Sequence, residues 1–103
     1  RGLEYTIRTT IDLRPAHCHP QLIKIMEEEA ASLEIPHTQM VSYPCHDSVN
    51  FERIMPMGMI FLRSSNGGLS HCPQEYTTPE DMEAGTNLLL NTILKLSETE
   101  NLD

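Results

Sequence analysis

Apolar and polar residues alternate at the start of the chain. The odd-numbered positions, which are apolar except for one threonine, are Leu3, Tyr5, Ile7, Thr9 and Ile11. This period of two is typical of a strand with one covered and one wet face. Pro15 and Pro20 follow, and residues 15–20 are predicted to be a connection because proline cannot continue a β-ladder.

After Pro20 the apolar residues recur at helical spacing. They are Leu22, Ile25, Met26, Ala30 and Leu33. Pro20 suits the first turn of a helix, and Pro36 is placed to end the segment. The sequence therefore predicts a helix between these two prolines.

The last helix carries a complete start signal. Thr78 is the expected N-cap, Pro79 occupies the first helical position, and Asp81 lies three residues after the cap. We expect the polar tail to fray after Leu96. The stripe predicted to be buried comprises Met82, Leu89, Ile93 and Leu96.

Three elements are predicted between these helices. They are a short strand over residues 37–42, a helix from His46 and Asp47 to about Met55, and an apolar strand over residues 57–62. An order that alternates strand and helix favours an α/β fold, here a partial layered sheet with flanking helices. Such a sheet would have open edges, so we expect the piece to belong to something larger.

Composition narrows the class of partner. The 103 residues carry a formal charge of -8 and have no basic face, which argues against nucleic acid and anionic membrane surfaces as partners. The apolar runs are too short to span a bilayer. Three cysteines without a Cys-x-x-Cys pair favour a reducing compartment, so a cytoplasmic location is expected. The start at Arg1 suggests a fragment or a processed product.

His71 is the first candidate for chemistry. It lies in a loop that opens with Gly67 and Gly68, between the predicted strand and the last helix. A loop between two rigid elements can aim an imidazole at a substrate or at Zn, Mn, Ni or Fe. Spacing alone favours the simpler interpretation, in which His71 bonds a backbone carbonyl.

Two other histidine groups have alternative interpretations. His46 and Asp47 could cap the helix that they precede, or they could line the mouth of a pocket. A structural zinc site is the competing hypothesis. Its ligands would come from three groups of adjacent residues, which are His17-Cys18-His19, Cys45-His46 and His71-Cys72.

Several motifs together resemble one family. The His46-Asp47 pair, the strand Pro56-Met57-Gly58-Met59-Ile60-Phe61 and the loop that runs from Gly68 to Thr77 are similar to the C-terminal end of hydantoinase/carbamoylase-type amidohydrolases of the metallopeptidase M20 clan. This group includes N-carbamoyl-L-amino-acid hydrolases, allantoate amidohydrolases and β-ureidopropionases. The chain departs from the family's glycine-rich pattern at Tyr43-Pro44-Cys45, which puts substrate fit in question.

The resemblance implies roles for four residues. His71 would be one ligand of a centre that holds two divalent metal ions (Zn, Mn or Ni), and Glu75 would support the site without binding metal. His46 and Asp47 would bind substrate. The family's general base and other ligands lie in an N-terminal part, so no catalytic residue is expected in these 103 residues.

The resemblance also implies an organisation and an activity. Residues 1–14 would end the lid and dimerisation domain, and residues 15–103 would form the C-terminal part of the catalytic domain. The complete enzyme, expected to be a homodimer, would hydrolyse carbamoyl or ureido C–N bonds of small linear amides, whereas the fragment alone would be inactive. An M20-clan aminoacylase or dipeptidase, or a non-catalytic zinc-binding or interaction module, are the alternatives.

Overall fold

The computed structural model describes residues 2–102, which form two α-helices and one short 3₁₀ helix. Helix α1 spans Pro20–Ser32, the 3₁₀ helix spans Asp47–Asn50, and helix α2 spans Pro79–Ser97. The radius of gyration is 17.7 Å, whereas a compact domain of 100 residues has a value of about 13 Å. The chain is therefore open, with much of its apolar surface exposed.

Helix α1 confirms the prediction made from its two flanking prolines. The ring nitrogen Nδ1 of His19 accepts a hydrogen bond from the amide of Gln21 at 3.2 Å, and Pro20 follows this N-cap. At the other end, Glu34 has a left-handed φ of 55° and the Ile35 amide donates to the Ala30 carbonyl at 2.8 Å. This is a Schellman ending in which glutamate occupies the position where glycine is usual.

Helix α2 begins as its sequence signal predicts. The hydroxyl oxygen of Thr78 accepts a hydrogen bond from the amide of Asp81 at 3.2 Å, with Pro79 at the first helical position. The helix ends at Ser97, one residue beyond Leu96, after which fraying is expected. The acidic residues of its first turn, Glu80 and Asp81, complement the helix dipole.

The predicted buried stripe of α2 is wrong. Met82, Leu89 and Ile93 are each about half exposed, and Leu96 is only partly covered, whereas Leu88 and Thr92 are buried. Helix α1 packs against α2, and Gly85 lies so close to Leu62 that a Cβ at that position would overlap it. The covered face of α2 contains Gly85, Leu88 and Thr92. Gly85 has no Cβ, so Leu62 can approach the helix closely there, which a larger apolar residue would prevent.

None of the three predicted strands is present in residues 2–102. A strand needs a neighbour to take its amide and carbonyl groups, and the described part of the chain supplies none. The first segment is fully open to solvent, with Leu3, Tyr5 and Ile7 all more than 80% exposed.

Residues 57–62 nevertheless retain the alternation of a strand. Gly58 lies against Leu22 and Met26 of α1 on one side. On the other side Met59 accepts a hydrogen bond from the Ser48 hydroxyl at 3.1 Å. Period-two contacts of this kind place the segment between the helices and the 3₁₀ helix even without a β-ladder.

The helix predicted from His46 and Asp47 to about Met55 is also wrong. Helical geometry stops with the 3₁₀ turn at Asn50, and turns follow to residue 54. Serine, valine and asparagine are weak helix formers, and Pro56 disfavours helical geometry at Met55. Within residues 2–102, no helix combines the length and apolar character needed to cross a membrane.

Candidate functional site

His71 sits on a loop of residues 64–76 whose two arms are joined at the base. The amide of Ser65 donates to the Tyr76 carbonyl at 2.7 Å. Gly67 and Gly68 have left-handed φ values of 69° and 76°, which glycine adopts without steric cost. His71 itself has a φ of 57°, an uncommon conformation for a residue with a side chain.

Glu75 supports the backbone at His71. Its carboxylate oxygen Oε2 accepts a hydrogen bond from the His71 amide at 3.3 Å, and its own amide donates to the Cys72 carbonyl at 3.1 Å. The His71 side chain is exposed and makes no hydrogen bond within residues 2–102. The simpler interpretation, a histidine bonded to a backbone carbonyl, is therefore wrong for this structure.

His46 lies next to His71 in space although the two are distant in sequence. Their ring centroids are 5.9 Å apart, with the ring planes inclined by 68°. The His46 ring also meets Phe61 edge to face at 5.3 Å. Phe61 belongs to the segment that packs on the helices, so it fixes one side of the His46 ring.

The Nε2 atom of His46 is buried and has no hydrogen-bond partner within the described part of the chain. Buried polar atoms are normally paired, so an unpaired one needs a partner such as water, an ion or a ligand. His46 also makes no capping bond to the 3₁₀ helix, so the alternative interpretation of His46 as a helix cap is not observed.

Asp47 is less informative. It is exposed, its carboxylate makes no capping bond, and its backbone carbonyl accepts a hydrogen bond from the Asn50 side chain at 3.2 Å. The predicted capping role is not observed. Its negative charge in the first turn of a short helix is favourable in any case.

Residues 2–102 do not hold a complete metal site. No group of three or more His, Cys, Asp or Glu side chains in this range is arranged to bind a metal ion. Zinc sites use at least three protein ligands. The unbonded imidazole of His71 has the chemistry of a metal ligand, but it belongs to no set of three ligands in this range.

The structural zinc hypothesis gains no support from the residues around Cys18. The Nδ1 atom of His19 accepts the capping hydrogen bond of α1 and is not free to bind a metal. All three cysteines are free thiols, and they join no ligand group in the described range.

His46 and Phe61 line an open cleft of about 1060 Å³. The cleft runs between α1, residues 35–46 and residues 57–63, and its walls include Cys45 and Met59. Its size suits a small molecule, since ligand pockets typically measure about 300–1,000 Å³.

Sequence reasoning missed three residues that build this region. They are Phe61, which holds the His46 ring, Glu52, which accepts from the His17 amide, and Asn66, which bonds across the His71 loop. The alternation over residues 57–62 could have placed Phe61 on the His46 side. The other two contacts depend on loop geometry that no sequence spacing reports.

The sequence profile described as peptidase family M20/M25/M40 matches residues 4–95. This range includes His46, His71 and all of the loop between residues 64 and 76. The chain belongs to this family. Its members have an α/β peptidase-like fold, and the resemblance found from the sequence motifs is confirmed.

Curated relatives of this M20 chain are named as hydrolases or amidohydrolases. A ureidoglycolate hydrolase of Arabidopsis thaliana is 46% identical over 81% of this chain and 17% of its own length. An N-carbamoyl-L-amino-acid amidohydrolase of a Pseudomonas strain is 36% identical over 92% of this chain and 23% of its own length. An N-carbamoyl-L-amino acid amidohydrolase of Geobacillus stearothermophilus is 32% identical over 97% of this chain and 24% of its own length.

The chain spans only about a fifth of the length of these relatives. No solved structure matches it significantly. The division into residues 1–14 and 15–103 remains a prediction, and Arg1 and Asp103 lie outside the described residues.

Proposed function

We propose that this M20 chain forms the C-terminal part of a metal-dependent amidohydrolase that cleaves carbamoyl or ureido C–N bonds of small linear amides. The observation that carries the proposal is the pair of imidazoles, His46 and His71, whose ring centroids are 5.9 Å apart, with His46 lining a cleft. The names of the relatives, which specify ureidoglycolate and N-carbamoyl-L-amino acids, support the class of substrate.

In this proposal His71 is one protein ligand of a centre for two divalent ions, Zn, Mn or Ni. Its exposed ring and its fixed, left-handed backbone support that role. A bound divalent ion would polarise the scissile carbonyl and lower the pKa of a bound water. The general base and the remaining ligands would come from a part of the enzyme outside these residues.

His46 would bind the substrate beside the metal. Its Nε2 atom has no partner in the described chain, so it is available to donate to a carbonyl oxygen or an anion. Phe61 restrains the ring, which reduces the side-chain entropy lost on binding. Asp47 would complete the polar edge of the pocket.

Glu75 would act on the metal through His71. Its carboxylate accepts from the His71 amide, so it can hold the backbone that carries the ligand. Interactions that orient a metal ligand commonly change metal affinity when they are removed.

The substrate class separates the proposal from an aminoacylase or a dipeptidase. The test is kcat/KM of the complete enzyme, loaded with each metal in turn, for an N-carbamoyl-L-amino acid, allantoate, ureidoglycolate and 3-ureidopropionate, beside an N-acetyl amino acid and a dipeptide. The proposal predicts turnover of at least one ureido or carbamoyl compound and little turnover of the last two. Turnover of only the N-acetyl amino acid or the dipeptide would contradict it.

The variant His46→Ala tests the proposed pocket. It should raise KM, or lower kcat/KM, while leaving the metal content unchanged, because His46 is assigned to the substrate and not to the metal. Asn91→Ala is the control, since Asn91 does not line the cleft and its Nδ2 donates to the Asn87 carbonyl within helix α2 at 2.8 Å. Equal kinetics for His46→Ala and Asn91→Ala would refute the role of His46.

A homodimer and a cytoplasmic location belong to the same proposal. The resemblance implies the homodimer, and the cysteine pattern favours the cytoplasmic location. The mass of the complete enzyme by light scattering tests the first, and cell fractionation tests the second.

A further inference from the structure

The loop that carries His71 is held by several internal hydrogen bonds. The Ser65 amide joins the two arms through the Tyr76 carbonyl, and the Ser64 hydroxyl donates to the Leu69 carbonyl at 2.8 Å. The side chain of Asn66 adds a third link, since its Nδ2 donates to the Gln74 carbonyl at 2.8 Å. Residues 64–76 therefore form a closed loop with defined geometry.

His71 needs such support because of its backbone conformation. Its φ of 57° and those of Gly67 and Gly68 are all left-handed. A non-glycine residue remains in this region only when its surroundings determine the backbone. The Glu75 carboxylate provides the direct contact, through the His71 amide.

Asn66 acts on the residue next to that contact. The carbonyl that its side chain binds belongs to Gln74, which directly precedes Glu75. The Asn66 amide thus ties the first arm of the loop to the arm that carries Glu75, and Glu75 in turn holds the His71 amide. The Ser64 bond ends at Leu69, before His71, and does not reach this arm.

We propose that Asn66 is a positioning residue that sets the place of His71 as a metal ligand. This inference rests on the proposed role of His71. It assigns to Asn66 an effect on metal affinity that exceeds its effect on stability, because its side chain is exposed and contributes little to the core.

The experiment compares Asn66→Ala with Asn91→Ala in the complete enzyme. Asn91 is a matched control, since its Nδ2 also donates to a backbone carbonyl at 2.8 Å, but within helix α2. Each apoenzyme is titrated with zinc, and thermal unfolding is recorded in the metal-free state. Loss of a residue that orients a metal ligand typically weakens metal binding about 10–100-fold, and we expect Asn66→Ala to fall near the lower end of that range.

The variant Asn66→Gln keeps an amide donor and should recover part of the zinc affinity. Unchanged zinc affinity in Asn66→Ala would overturn the inference, as would equal losses in Asn66→Ala and Asn91→Ala. Asn66→Gln as weak as Asn66→Ala would also contradict it, because the donor would then not be the cause.

His71→Ala separates this inference from the proposed function. If His71→Ala binds zinc as tightly as the unmodified enzyme, the metal role of His71 fails and the inference fails with it. If His71→Ala loses zinc and Asn66→Ala does not, only the inference about Asn66 is wrong.

Discussion

Replacing Gly85 by alanine tests the packing that positions the candidate site. Gly85 lies in the middle of α2, and an added Cβ would overlap Cδ2 of Leu62 and lie 3.1 Å from its Cδ1 and Cγ atoms. Rotation of Leu62 about its Cβ–Cγ bond could move Cδ2, but Cγ would stay at 3.1 Å and would still have to shift by a few tenths of an ångström. Leu62 ends the segment that leads into the His71 loop, so the clash would be felt at the site.

Two opposing effects determine the magnitude. Alanine is favoured over glycine inside a helix by about 1 kcal/mol. Overpacking of a well-packed contact typically costs about 1–3 kcal/mol. The net expectation for Gly85→Ala is a destabilisation of about 1 kcal/mol, taken as the difference between these two effects.

The effect of Gly85→Ala on the free energy of unfolding should have the opposite sign when Leu62 is replaced by alanine. Leu62→Ala removes the three atoms that the new Cβ would meet. In that background Gly85→Ala should stabilise by about 1 kcal/mol, since only the helix preference remains. The two backgrounds should therefore differ by about 2 kcal/mol in a double-mutant cycle.

Urea unfolding of the four proteins provides the free energies. A stabilising effect of Gly85→Ala in the presence of Leu62, or an identical effect in both backgrounds, would refute the described contact between α2 and residues 57–62.

Three further predictions concern the helix ends and the competing zinc hypothesis. Thr78→Ala should lower the free energy of unfolding by about 1 kcal/mol because the Asp81 amide loses its acceptor. Thr78→Ser keeps a hydroxyl oxygen and should lower the free energy of unfolding much less, so equal losses in the two variants would contradict the cap. Glu34→Gly should raise the melting temperature, since glycine relieves the left-handed strain at φ 55°, and an unchanged or lower value would argue against that conformation. Replacing both His17 and His19 by alanine should leave zinc stoichiometry unchanged in a titration; loss of one zinc ion would instead favour a structural zinc site.

The helices could be predicted from sequence because their signals are local. Thr78, Pro79 and Asp81 form a cap that depends on neighbouring residues only, and the structure confirms it. Pro20 and Pro36 bracket α1 in the same way. The buried face of α2 was not predictable from the size of its apolar residues, since Gly85 admits Leu62 and so determines which stripe is covered.

Strands depend on partners that the sequence of one segment does not contain. The alternation of residues 3–11 predicts a covered face, but Leu3 and Tyr5 are more than 80% exposed in this chain. Residues 57–62 keep the alternation through their contacts with α1 and with Ser48, although no β-ladder forms in the described range. The alternation of a segment thus indicates which of its faces can be buried, but it does not indicate whether a partner is present to cover that face.

The candidate site is predictable in part. A turn marks His46 and a glycine-opened loop marks His71 in the sequence, and the structure brings their ring centroids to 5.9 Å. Neither the contact of Phe61 with His46 nor the bond of Asn66 across the loop has a sequence signal, because both depend on how distant backbone segments meet. The roles of His46, Asp47, His71 and Glu75 toward substrate and metal remain predictions.

The metal content of His71→Ala tests the central claim most directly. The complete enzyme and this variant are loaded with zinc or manganese, dialysed, and measured by mass spectrometry of the bound metal, with His37→Ala as the control. The account predicts that His71→Ala retains less metal per chain than the unmodified enzyme, while His37→Ala retains the same amount. Full metal content in His71→Ala would contradict the assignment of His71 as a ligand.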